Sequence, residues 1–159
     1  MTAHPTELKA RIKHPVAAFP EAMRALQSME KVAHNYAVPL PTLQLVELRA
    51  SQINGCSVCV DMHSRDLKRQ GAADERIFGV AAWRDNPAFD EAERAALALT
   101  EALTRISDRA DPVPDAIWDE AARHYDEPGL ATLVIAIANI NVWNRLNVAV
   151  RQVVGDWEA

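Results

Sequence analysis

Cysteine is scarce in this chain: 159 residues hold only two, Cys56 and Cys59. A framework of several disulfides is therefore excluded. Cationic runs are missing as well, and the net charge is −5, which argues against nucleic acid as a partner. The opening residues, MTAHPTELKARIKHP, contain no apolar signal core, so the expected location is cytoplasmic. In such a reducing compartment a close cysteine pair is better explained by catalysis or metal binding than by permanent cross-linking. No stretch alternates apolar and polar residues with the β-branched content of a strand, and no internal repeat or low-complexity segment occurs. What remains is an all-α chain of one domain's length.

The helical pattern is readable in order. Residues 1–19 carry Pro5 and Pro15 and read as an extended arm before a single domain, 20–159. Pro20 suits a first helical position, and Ala22, Met23, Leu26, Met29 and Val32 recur at helical spacing until the pattern fades near Tyr36. Pro41-Thr42 opens a second helix through Asn54, with Leu45, Val46, Leu48, Ala50 and Ile53 toward the core. Gln44, Glu47 and Ser51 share another face of it. A short helix over 74–83 should bury Ile77, Phe78, Val80 and Ala81. Asp90 and Glu93 form a capping box for a helix to about Ile106, whose charges read as a solvated face. Another helix holds Ile117, Trp118, Ala121 and Ala122, and Asp126 caps the last one, with Pro128 in its first turn.

That last segment, LATLVIAIANINVWNRLNVAV, is long enough to span a bilayer. Asn139, Asn141, Asn144, Arg145 and Asn147 make spanning expensive, so no membrane association is expected. A helix apolar on most sides belongs instead at a domain centre or in a subunit interface. A homo-oligomer is the resulting expectation.

The chemistry concentrates in ELRASQINGCSVCVDMHSRDLKRQG, residues 47–71. Asn54-Gly55 marks a turn, and a helix then runs toward Gly71, a C-terminal cap. At about 100° per residue, Cys56, Cys59 and His63 fall within a roughly 60° arc. Unpaired N–H groups and the positive dipole end at a helix start favour a thiolate. His63 sits about 6 Å along the axis from Cys59 but about 10 Å from Cys56, so Cys59 is the thiol it can deprotonate. Structural cysteines would not explain this spacing with a histidine. A zinc site needs about four ligands, only three are local, and nothing brings His34 or His124 to them. The pattern reads as a redox dithiol with its own base.

These residues, with AAWRDNPAFDEAERAALALTEALTRI and IANINVWNRLNVA, resemble the AhpD-like alkylhydroperoxidases of the carboxymuconolactone decarboxylase family. The resemblance covers nearly everything after Phe19. It implies a helical fold of about six to seven helices, assembly as a dimer, trimer or hexamer, and peroxide reduction by a Cys-x-x-Cys dithiol. Cys56, Cys59 and His63 match the family pattern one for one. Two positions depart: Gln44 stands where these enzymes keep a glutamate, and Val58 where the founding members have a histidine. Gln holds a hydrogen bond but takes no proton at ordinary pH. Glu47, one turn on, could instead orient His63 and support its positive form, or it could simply pair with Arg49 or Arg69.

The function expected is a thiol-dependent peroxidase acting on hydrogen peroxide or organic hydroperoxides. Cys59 attacks, Cys56 resolves, and His63 and Glu47 manage the proton. No metal, haem or flavin is implied; the resemblance suggests an external lipoyl-type or thioredoxin-like dithiol as reductant. The alternatives are a non-enzymatic redox-sensing module and a decarboxylase or isomerase of a small acid.

Overall fold

The computed structural model describes residues 7–34 and 37–156. Among these, eight α-helices and one 3-10 segment occur and no strand: α1 (Pro15–Ala18), α2 (Pro20–Ala33), α3 (Leu40–Asn54), α4 (Ser57–Arg69), α5 (Asp74–Gly79), a 3-10 turn (Val80–Asp85), α6 (Glu91–Thr104), α7 (Asp115–His124) and α8 (Glu127–Val150). The fold is all-α, with slightly more helices than the six to seven expected.

The chain is built around α3. Its residues 42–51 are buried except Arg49, because α4, α6 and α8 pack on different sides of it. Leu43 and Val46 join α2, α6, α7 and α8 in one apolar cluster. Leu45 and Leu48 join α4, α5, α6 and the 3-10 turn in a second. Each such fully buried leucine contributes about 1.5–3 kcal/mol by removal from water. Because apolar residues point to two sides, the three polar residues between them, Gln44, Glu47 and Ser51, are enclosed as well.

Local signals set the helix ends. The Asp90 side chain accepts from the Glu93 N–H at 2.8 Å, and the Glu93 carboxylate accepts from the Asp90 N–H at 3.1 Å, closing the expected capping box. Asp126 accepts from the Gly129 N–H at 2.9 Å and opens α8. α8 alone among the described residues is long and apolar enough to cross a membrane, and half of its apolar window is buried in the fold. It packs against α2, α3 and α6.

Several expectations need correction. The arm is not wholly extended: Pro15–Ala18 is helical, and His14 and Val16 are buried. α2 ends at Ala33, before Tyr36, which lies outside the described residues. Its expected core stripe is largely uncovered, with Ala22, Met29 and Val32 exposed. The 74–83 helix is broken, since Ala82 leaves helical geometry at φ −126° and turns Trp83 inward. Trp83 and Phe89 fill the core there, while Phe78 and Ala81 face outward. α6 stops at Thr104, so Ile106 is exposed. Its charges are not simply a solvated face either: Glu93 and Glu101 are buried, because arginines from three neighbouring segments reach them.

Candidate active site

Gly55 delivers the thiols. It caps α3 in the left-handed region at φ 67°, a conformation that costs an L-side chain roughly 1–2 kcal/mol, and the chain then reverses into α4. Cys56 consequently stands just outside the helix as its N-cap, where its sulfur accepts from the Cys59 N–H at 3.3 Å. The expected helical face thus contains Cys59 and His63, with Cys56 placed by the cap. Both cysteines are free thiols and each is buried.

They line different clefts. Cys59, His63 and Glu47 line a cleft of about 220 Å³, whose apolar walls include Val58, Met62, Ile140 and Trp143. Cys56 instead lines a second cleft of about 280 Å³ beside Arg151 and Gln152.

The histidine is held by two oxygens. Its Nδ1 lies 2.9 Å from Gln44 Oε1 and 3.4 Å from Glu47 Oε2. With oxygens on that side, Nδ1 carries the proton and donates to Gln44, which leaves Nε2 as the lone-pair nitrogen. Nε2 is buried without a protein partner, and so is Glu47 Oε2, whose approach to Nδ1 lacks hydrogen-bond geometry. Arg49 and Arg69, the alternative partners of Glu47, go elsewhere: Arg49 to Glu101 and Arg69 to Asp66.

Burial controls the charge of this pair. It raises the Glu47 carboxyl to about 8, helped by the negative charges of Glu30 and Asp66. It also lowers the His63 imidazole to about 4, with Asp66 opposing and His34 adding to the drop. At 3.4 Å an ion pair would be the other arrangement of the same proton; desolvation acts on both groups and favours the uncharged one.

The thiols behave as a coupled pair. Cys56 is drawn down to about 7, first because the Cys59 thiol donates to it; burial opposes, and the Cys59 N–H and the Asn144 and Asn147 amides assist. Cys59 is pushed up for the reciprocal reasons: its proton is engaged by Cys56, it is buried, and a charged Cys56 repels a second thiolate. One proton therefore leaves the pair near neutrality and the other is shared between the sulfurs.

A buried polar ladder on α8 backs the thiols. Asn147 Nδ2 donates to Cys59 Sγ at 3.3 Å. Asn144 donates to Ser51 Oγ at 3.0 Å and accepts from Asn54 at 2.8 Å. Nothing in the Cys-x-x-Cys stretch points to these residues. The available signal lay in Asn141, Asn144 and Asn147, asparagines three residues apart on an otherwise apolar helix, since buried amides require partners.

Among the described residues no group of three or more His, Cys, Asp or Glu is arranged to hold a metal. Neither His34 nor His124 joins the dithiol: His124 pairs with Glu120 on α7.

Similarity to known proteins gives the family and the fold. The profile of the Carboxymuconolactone decarboxylase family matches residues 18–102. YdfG of Bacillus subtilis, an uncharacterised protein, is 37% identical over 130 residues, covering 82% of this chain and 87% of the relative. The chain belongs to the carboxymuconolactone decarboxylase family. Within it, this AhpD-like member superposes on a crystal structure from Agrobacterium tumefaciens, a protein of unknown function proposed to be the antioxidant defence protein AhpD. The TM-score is 0.84 and the identity 33%, covering 92% of this chain and 98% of that one. The debrominase Bmp8 shares the fold at a TM-score of 0.78 and 21% identity, over 89% and 75% of the two chains.

Proposed function

We propose that this AhpD-like protein is a thiol-dependent peroxidase that reduces organic hydroperoxides or hydrogen peroxide with Cys59 as the attacking sulfur. The observation that carries the reading is that Cys59, His63 and Glu47 line one cleft, while Cys56 lines another.

The reaction balances with these groups. The first proton leaves the thiol pair by way of His63 Nε2 and solvent. The shared proton then sits on Cys56 as Cys59 takes the charge. The Cys59 thiolate attacks the terminal peroxide oxygen, the O–O bond breaks, and the sulfur becomes a sulfenic acid. The leaving oxygen takes its proton from Glu47, which is still protonated at neutral pH because burial lifts it to about 8. Cys56 then attacks the sulfenic sulfur, forming the Cys56–Cys59 disulfide and water. An external dithiol, of lipoyl or thioredoxin-like chemistry, reduces the disulfide by exchange. The second cleft, which holds Cys56 and the Arg151 rim, supports entry of that reductant by a route other than the Cys59 cleft.

Self-association belongs to the same reading. The exposed apolar residues Phe19, Met29 and Val32 on and beside α2, and Val142 and Val148 on α8, are surface a second subunit would cover. A decarboxylase or isomerase of a small acid fits less well. The residues lining the Cys59 cleft include no lysine or arginine, so a substrate carboxylate would find no cation to pair with.

The test is peroxide consumption with supplied dithiols. Cys59→Ser should abolish it. Cys56→Ser should permit one turnover and leave a sulfenic acid on Cys59 that a dimedone-type reagent captures. A sulfenic acid captured on Cys56 in Cys59→Ser would overturn the assignment, and no consumption with any dithiol would favour a redox-sensing module.

A further inference from the structure

The ladder on α8 reaches one residue that the peroxidase reading leaves unused. His14 lies outside α2–α8, in the segment before α1, yet it is buried to 5% exposure. Its ring packs at 6.1 Å from that of Trp143, a wall of the Cys59 cleft. Its Nε2 is 3.1 Å from Asn147 Oδ1, and Asn147 in turn donates to Cys59 Sγ. We propose that Asn147 is a catalytic residue that stabilises the Cys59 thiolate, and that His14 is the positioning residue that dictates which end of its amide faces the sulfur.

The direction of the chain follows from its far end. The Val16 N–H donates to His14 Nδ1 at 3.3 Å, where His14 caps α1. A nitrogen that accepts carries no proton, so the neutral ring has its proton on Nε2. Nε2–H therefore donates to Asn147 Oδ1. With its oxygen committed, Asn147 has only its NH2 group to offer Cys59. The reversed amide would aim a carbonyl at the sulfur and repel its charge. Burial depresses the His14 imidazole against the Asn147 bond that raises it, which keeps the ring in this neutral form.

The donor matters because burial and Cys56 both work against charge on Cys59, and among the side chains it is the Asn147 and Asn144 amides that favour it, Asn147 by a direct bond to Sγ. The titratable groups facing it are Cys56 and His63 from its own segment and Glu47 and Glu30 across the cleft, with His14 behind Asn147. Cys56 is the thiol of the pair that is drawn down, and none of the others is a lysine or arginine. A hydrogen bond to a charged acceptor is roughly twice as strong as one between neutral groups. The Asn147 amide also assists Cys56, but its direct bond is to Cys59 Sγ, and that bond gains strength when the charge moves onto Cys59, the step attack requires. A bystander amide would gain nothing from that transfer.

The inference rests on the peroxidase reading for its catalytic meaning, but its test uses no peroxide. Cys56→Ser isolates the Cys59 thiol, whose ionisation is followed by thiolate absorbance and by iodoacetamide labelling across pH. In that background Asn147→Ala should raise the apparent thiol pKa by about one unit, and labelling at neutral pH should slow about tenfold. Asn147→Asp should shift it further, since a carboxylate replaces the donor. His14→Phe should match Asn147→Ala, whereas His14→Gln, whose side-chain NH2 can still donate to Oδ1, should return labelling to within about twofold. A merely structural His14 would alter unfolding but not the titration. Unchanged titrations in folded Asn147→Ala and His14→Phe would overturn the proposal. If either variant fails to fold, the Cys56→Ser chain decides alone. Its Asn147 side-chain amide resonances should titrate in step with Cys59, and amide shifts that stay flat through that titration would overturn it. Failure of peroxide turnover with these shifts present would instead count against the peroxidase reading.

Discussion

Glu47 and Glu101 are equally buried, each 6% exposed, and their helices α3 and α6 pack together, yet their surroundings are opposite. Glu101 accepts from Arg49 Nε at 2.8 Å, Trp83 Nε1 at 3.0 Å and Arg84 Nη2 at 2.7 Å. Burial works against its charge, but the bonds from Arg84, Trp83 and Arg49 overcome it and hold the carboxyl down at about 2. Glu47 has no cation. It meets one neutral imidazole, and its carboxyl stays protonated to about 8. One α3 residue thus sends its arginine to the structural carboxylate, while another, two positions earlier, presents an unpaired carboxyl to the cleft. Full pairing makes a buried acid inert. Withholding the partner keeps a proton available beside the thiol.

The contrast is best broken at Glu101. Glu101→Gln leaves the largely buried Arg49 with an uncompensated charge, a loss of about 2–4 kcal/mol that urea unfolding at neutral pH should read. Thiol labelling of the folded fraction should be unaffected. Because the Glu101 value is depressed when folded, its stabilisation is complete above about pH 4.5 and is lost as pH falls through about 2. The difference between wild type and variant should therefore shrink in acid.

Glu47→Gln should do the reverse. The Glu47 value is raised when folded, so its favourable contribution is complete below about pH 4.5 and is lost as pH rises through about 8. Removing the titration should make the variant about 1–3 kcal/mol more stable than wild type at pH 8, with little difference at pH 5. Its reaction with peroxide at neutral pH should be about tenfold slower, for want of the proton donor. If the variant is instead less stable than wild type at pH 8, Glu47 is ionised and paired, and the contrast with Glu101 disappears.

Gln44→Glu sharpens the comparison by placing a second carboxyl 2.9 Å from His63 Nδ1. The imidazole value should rise by roughly one unit, visible in ring-proton NMR, because an adjacent negative charge favours its charged form. The smallest effect belongs to Arg84→Ala. That side chain is 60% exposed where it meets Glu101, so unfolding should move by no more than about 1 kcal/mol.

The chain's own pattern determined the fold class and singled out the candidate thiol site. Helical periodicity, proline breaks and caps at Asp90 and Asp126 are local signals, and each marked its helix within a few residues. The three-residue and four-residue spacings of Cys56, Cys59 and His63 are local too, as was the buried character of α8. Tertiary packing decided the rest. Whether Glu47 met an arginine or His63 depended on where α4 and α6 lie around α3, which no spacing within α3 encodes. The thiols' second cleft, the exposed stripe of α2 and the inward turn of Trp83 are likewise set by neighbours distant in sequence. Most of all, the approach of His14 and Asn147, 133 positions apart, has no local signature. Helical periodicity reports which face of a helix is apolar; only packed coordinates report which buried amide has a thiol in front of it and a histidine behind.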